Sequence, residues 1–180
     1  MKPDTQPTVS RRNLVRALLG RDTSPAPQAP DAAAAADRHA AGDAAYAAGD
    51  FTAAVAAYRA STRGDLSNAP VRLRLGYALY ALGQYIQARV EFEHVLRLTG
   101  GGEPLARLCL GLTLLALGKS ERAATTLAAF TDSERPELEK MTGEAARLLA
   151  AGEAVDLQSL RHGIESAARA TAFLPEIVSA

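Results

Sequence analysis

The sequence predicts an all-α fold: a solenoid of three stacked helix pairs followed by a C-terminal capping helix pair. Two observations carry that prediction. Apolar residues recur at spacings of three and four, the helical period, and not at the spacing of two that a half-buried strand needs. A short phrase also recurs. It reads Ala48-Gly49-Asp50-Phe51-Thr52-Ala53-Ala54, then Leu82-Gly83-Gln84-Tyr85-Ile86-Gln87-Ala88, then Leu117-Gly118-Lys119-Ser120-Glu121-Arg122-Ala123. Gly49, Gly83 and Gly118 are 34 and 35 residues apart, and a fixed period of that size marks a stacked array of supersecondary units.

Composition bounds the function. The 180 residues suffice for one domain. The chain is 48% hydrophobic with no Trp, and alanine supplies much of that figure. Small side chains let helices approach but bury little area each, at roughly 25 cal/mol per Å². A formal net charge of zero argues against a nucleic-acid partner, which calls for a basic face. The single cysteine, Cys109, has no internal disulfide partner, in keeping with a reducing, cytoplasmic setting. No run reaches the roughly 18 apolar residues of a membrane span.

Taken in order, residues 1–31 read as a flexible tail, with Pro3, Pro7, Pro25, Pro27 and Pro30. Inside it, residues 10–20 form a short basic amphipathic segment. Leu14, Ala17 and Leu18 share one helical face, with Ser10 as N-cap and Gly20 as stop. Ser10-Arg11-Arg12, the apolar Leu14 and Val15, and Arg16 resemble the core of a twin-arginine export signal. The long apolar region such a signal needs does not follow, because Arg16, Arg21 and Asp22 leave only Ala17 to Gly20. Arg11, Arg12, Leu14 and Leu18 are therefore read as docking residues for a partner or for the chain's own groove, with export to the periplasm as the alternative.

Helix pairs follow. The first spans about 32–48 and 51–63, with Asp31 as cap. Gly64 to Pro70 is a turn. The second pair spans about 70–82 and 85–98, closed by Gly100-Gly101-Gly102. The third spans about 104–117 and 120–131, with Pro104 at a helix start, where proline is tolerated. A turn at Asp132 to Pro136 precedes helices at about 137–151 and 156–173, and Pro175 ends the last. The domain boundaries are thus 1–31 for the tail, 32–137 for the three repeats and 138–180 for the cap.

Residues 35–137 resemble tetratricopeptide repeats, helix-turn-helix units of 34 residues. Gly42, Phe51, Ala54 and Tyr58 match in the first repeat. Leu75-Gly76, Gly83, Tyr85, Ala88 and Phe92 match in the second, and Leu110-Gly111, Gly118, Ala123 and Leu127 in the third. The resemblance implies a right-handed tetratricopeptide-like solenoid. Small residues at each crossing let helix axes approach to about 8–10 Å. Arg38, Arg72 and Arg107 stand where the family carries a large early residue. Gly152 repeats the period once more, but Ala145 and Leu157 replace the glycine and alanine expected there. Residues 138–171 are therefore a worn fourth repeat that caps the open end.

In this family the first helix of each pair lines a concave face that binds partners. That implies a groove of His39, Asp43 and Tyr46, then Leu73, Tyr77 and Tyr80, then Leu108, Leu112 and Leu115. Tyr46, Tyr77 and Tyr80 are the expected aromatic anchors, and Leu73, Leu108 and Leu112 an apolar slot. The Lys, Arg and Asn that grip a terminal carboxylate in some relatives are missing from these positions. Leu105 to Leu117 is apolar nearly all round, so it must be covered on most sides. Its cover is the C-terminal helix, through Leu157, Leu160, Ile164, Ala167 and Ala168, or an amphipathic helix from a partner or from the tail around Leu14 and Leu18.

No catalytic, metal or cofactor site is expected. His39, His94 and His162 lack ligand spacing. Cys109 sits within the leucine helix as an inert thiol. Gly118-Lys119-Ser120 copies the end of a phosphate loop, but Thr113 stands where its first glycine belongs. The expected function is a non-catalytic adaptor or scaffold binding a peptide or helix. The alternatives are an accessory or assembly factor of a multi-subunit redox complex, docked through the Arg-Arg segment, and an exported relative. Deleting residues 1–22 separates them in a co-purification assay: association survives if the groove binds, and is lost if the tail does.

Overall fold

The computed structural model describes residues 32–63 and 66–174, which form eight α-helices and no strand. They are α1 (Ala32–Ala47), α2 (Phe51–Thr62), α3 (Ala69–Ala81), α4 (Tyr85–Leu98), α5 (Pro104–Ala116), α6 (Ser120–Ala128), α7 (Pro136–Ala150) and α8 (Leu157–Ala170). The tail segment with Arg11, Arg12, Leu14 and Leu18 lies outside the described residues.

Local chemistry sets the helix ends. The Asp50 and Asn68 side chains accept hydrogen bonds from the backbone N–H of Ala53 and Val71, capping α2 and α3. Asp156 does the same for α8, accepting from Gln158 and Ser159. Pro70, Pro104 and Pro136 sit in the first turns of α3, α5 and α7, where no intrahelical N–H is lost. The phrase glycines are the stops. Gly83 has φ +71°, and behind it Gln84 N–H donates to Leu79 O at 2.9 Å, closing the helix in a left-handed turn that glycine adopts without strain. Gly49, Gly118 and Gly152 share that conformation.

α6 stops at Ala128, three residues short of the expected end. Phe130 is buried just beyond it. Asp132 then holds the turn, accepting from Glu134 N–H at 3.0 Å and from the Arg135 guanidinium at 2.8 Å.

From α1 to α7 each helix packs on the next in sequence, and the first helices of successive pairs also touch, α1 with α3 and α3 with α5. This adjacent packing is that of a tetratricopeptide-like helical solenoid. Each of its three hairpins closes on one glycine. A Cβ at Gly42 would lie 2.6 Å from the Tyr58 ring, and one at Gly76 would lie 2.7 Å from the Phe92 ring. A Cβ at Gly111 would collide with Leu127 in the same way. Tyr58, Phe92 and Leu127 are completely buried, so none can yield.

The fourth pair is different. Ala145 stands one period after Gly111, and Arg161 and His162 stand one period after Leu127. No large apolar residue is available to seat on a glycine. α8 makes less contact with α7 than the helices of the earlier pairs make with each other. In this C-terminal pair α7 packs on α6, and α8 lies against both α5 and α7.

Two glycines should behave oppositely. Gly76→Ala overpacks the second hairpin and should cost about 1–3 kcal/mol of unfolding free energy. Gly143→Ala meets nothing within 4 Å and should stabilise by up to about 1 kcal/mol through helix propensity. Urea denaturation of both variants checks the pair.

Candidate functional site

The first helices of the three hairpins, α1, α3 and α5, supply the wall on which the groove residues were placed. That wall is built on a continuous run of rings. Tyr46 packs against Phe51 at 5.7 Å and Tyr77 at 6.0 Å between centroids. Tyr77 reaches Tyr80 at 6.3 Å, and Tyr80 reaches Tyr85 at 5.4 Å. Such edge and tilted contacts each add about 0.5–1.5 kcal/mol beyond area burial. The run ties the first hairpin to the second.

α8 lies on the far half of the wall. Its Ile164 and Ala168 are buried, while Leu157, Leu160 and Ala167 are half-buried against the core. Beneath it, Leu108 and Leu112 are 0% exposed and Leu115 only 2%. The expected apolar slot is thus covered in this structure, because a helix as apolar as α5 needs a second layer. Tyr77 and Tyr80, expected as exposed anchors, are 3% and 4% exposed and are packing residues here. Leu73 and Tyr46 are half-buried against the core.

Polar chemistry seats α8. Glu165 is 5% exposed, and its carboxylate accepts a hydrogen bond from the Tyr80 hydroxyl. Arg161 Nη1 donates to Glu165 Oε1 at 2.7 Å and to the Tyr80 oxygen at 3.0 Å. Arg169 pairs with Glu165 Oε2 at 3.5 Å. A buried carboxylate left alone would be costly, and here two cations and a hydroxyl offset its desolvation. Burial, then the Glu165 carboxylate, push the Tyr80 hydroxyl well above the usual tyrosine range. Burial likewise pushes Tyr77 up to about 12. Past α8, Phe173 packs on Phe130 at 6.0 Å under the Arg135 guanidinium at 4.3 Å. The turn leading there holds Ala172 at φ +54°, a left-handed position that costs a non-glycine residue about 1–2 kcal/mol.

The near half of the wall is polar and part-exposed. Arg74 Nη1 donates to both Asp43 oxygens, at 2.9 and 3.1 Å, and lies 3.0 Å from His39 Nε2. The Tyr58 hydroxyl donates to Asp43 at 2.7 Å. About two-fifths of each of the Asp43 and Arg74 side chains faces solvent.

Of the expected groove residues, the structure gathers His39 and Asp43 in this polar cluster, and Tyr46, Tyr77 and Tyr80 in the ring run. Leu108, Leu112 and Leu115 lie in the core. Sequence reasoning missed Arg74, Arg161, Glu165 and Arg169. The last three carried a signal: Arg, Glu and Arg at successive spacings of four, on a helix whose apolar stripe was already recognised. Cys109 is buried, and burial raises its thiol pKa far out of the reactive range. Among the described residues no group of three His, Cys, Asp or Glu side chains is placed to hold a metal, and no helix is long and apolar enough to cross a membrane.

The family model described as Tetratricopeptide repeat matches residues 69–100, which are α3, α4 and the glycine turn closing them. No curated protein matches the chain.

Two measurements probe the covered seat. Tyr80→Phe removes one charged hydrogen bond and should cost about 1.5–3 kcal/mol, read by urea unfolding. Because Tyr77 is raised to about 12 from an ordinary value near 10, the folded state holds its proton more tightly than the unfolded state. Its contribution is complete below pH 10 and is lost as pH rises through 12. Unfolding free energy should therefore fall steadily between pH 10 and 12.

Proposed function

We propose that this protein is a non-catalytic interaction module that binds a peptide or helix of a protein partner along its concave wall. The observation that carries the reading is the tetratricopeptide repeat at 69–100, set in an array of hairpins closed by Gly42, Gly76 and Gly111. Stacked hairpins present a long, curved, rigid surface, and repeat proteins use such surfaces for binding.

Within that wall, the near half is the first point of engagement. His39, Asp43 and Arg74 offer a part-exposed acid, a base and an imidazole together, beside the half-buried Tyr46 and Leu73. A partner there would meet polar groups at the rim and an aromatic base, the usual arrangement of an interface anchor. Tyr77, Tyr80, Leu108, Leu112 and Leu115 form the deeper continuation under α8. Docking of a redox complex through Arg11, Arg12, Leu14 and Leu18, or export, remains a separate reading carried by the tail alone.

Affinity purification from native cells with Arg74→Ala and His39→Ala tests the near half. An exposed pair such as Arg74–Asp43 contributes only about 0–1 kcal/mol to folding, so melting should barely move. Capture of the principal partner should drop about tenfold or more, as loss of one anchor worth about 1.4 kcal/mol implies. Capture unchanged in both variants, with the fold intact, would remove this half of the groove from the proposal.

A further inference from the structure

On the near half of the wall one ring nitrogen faces two partners that it cannot use at once. Nε2 of His39 lies 3.0 Å from Arg74 Nη1 and 3.4 Å from Asp43 Oδ2. We propose that His39 is a proton-operated switch on Arg74. Neutral, it shares Arg74 with Asp43. Protonated, it takes Asp43 for itself and frees the Arg74 guanidinium for the partner, whose hold on the wall strengthens as pH falls. The regulatory role rests on the near-half reading above; the switch itself does not.

The two contacts ask opposite things of the same atom. A guanidinium only donates, so the Arg74 contact requires an unprotonated Nε2, with the ring proton on Nδ1. An ionised carboxylate only accepts, so the Asp43 contact becomes a hydrogen bond only when Nε2 carries a proton. Histidine is the side chain whose charge ordinarily changes between about pH 5 and pH 8. Gaining that proton sets two cations 3.0 Å apart. It also gives Asp43 a second charged donor on its own helix, one turn away.

Arg74 is the member that yields. The completely buried Tyr58 anchors the other two. Its hydroxyl donates to Asp43 Oδ1 at 2.7 Å, and its ring meets the His39 ring edge-on at 6.4 Å between centroids. That ring is seated on Gly42 of the same helix, α1. Arg74 reaches the cluster through Nη1 alone, on a long side chain with 43% of its surface in solvent. An ion pair so exposed is weak and readily exchanged. The groups that face His39 are thus Asp43 on α1, Tyr58 on α2 and Arg74 on α3. Arg38, beside it in the chain, keeps its Nε buried without a hydrogen-bond partner. With the proton on, the charge balance of Arg74 and Asp43 becomes one net positive charge. A freed guanidinium then stands on the part-exposed half of the wall, and the partner group that gains is one that accepts hydrogen bonds from it.

The test uses the full chain, isotope-labelled for magnetic resonance, and at first no partner. From about pH 8 to about pH 5, the side-chain resonances of Arg74 should follow one titration whose midpoint is that of the His39 ring. The titrations of His94 and His162 should leave Arg74 unmoved. The movement should vanish in His39→Gln, whose amide stays neutral and still accepts from Arg74. An Arg74 signal that is flat across this range in wild type overturns the switch, whether or not the variant folds. So does one that still moves in a folded His39→Gln. Capture of the principal partner by wild type should then rise about three- to fivefold from the upper to the lower pH, the size of one exposed ion pair released, and should stay level in His39→Gln. Level capture in wild type, while Arg74→Ala still lowers it, overturns the regulatory role. Capture indifferent to Arg74→Ala sinks the near-half reading instead, and the partner-free titration still decides the switch.

Discussion

Three close crossings hold this molecule in its repeating form. At Gly42, Gly76 and Gly111 the absence of one methyl group lets Tyr58, Phe92 and Leu127 lie flat against the facing helix. Interior packing leaves no room for compromise at such points. Each crossing brings the two helices of one hairpin into close contact, and the crossings recur at a spacing of 34 and 35 residues. Repetition of one local contact then stacks the hairpins into an array in which each helix packs on the next.

Where that contact lapses, the array changes. Ala145 carries the methyl group that the earlier crossings exclude, and Arg161 and His162 stand one period after Leu127. The last helix closes on α7 less fully than the helices of the earlier pairs close on each other. It packs on α5 as well, where leucines such as Leu108 and Leu112 are fully buried. One departure at a crossing thus decides both how the array ends and what covers its inner wall.

The cover is selective in kind. Leucine against leucine would hold α8 in many registers with similar energy. The buried Glu165 fits only where the Tyr80 hydroxyl and the flanking arginines can meet it. Its net contribution to stability is small after desolvation, but a misplaced buried carboxylate would be costly. The polar group therefore sets position, while the apolar stripe supplies most of the driving force. The wall is left in two parts: a polar, part-exposed region around Asp43 and Arg74, and an apolar region beneath a helix.

Most of the helical array was legible in the chain. Helical periodicity, the phrase glycines and the crossing glycines each act within a few dozen residues, and local geometry is enough to read them. α3, α4 and α5 fall within a residue or so of their expected ends for that reason. The site was legible in part. Placing Tyr77, Tyr80, Leu108 and Leu112 on the inner wall needed only the repeat register, but whether they meet solvent depends on a helix some 50–90 residues later. Arg161, Glu165 and Arg169 show their spacing in the sequence, yet nothing in that spacing names Tyr80 as the fourth member. The sequence by itself determined the hairpins, because their contacts are short-range and periodic. Only the tertiary structure decided which face α8 covers, because that choice compares the burial of α5 against a hairpin with α7, and a comparison of two distant surfaces is written in no single stretch of chain.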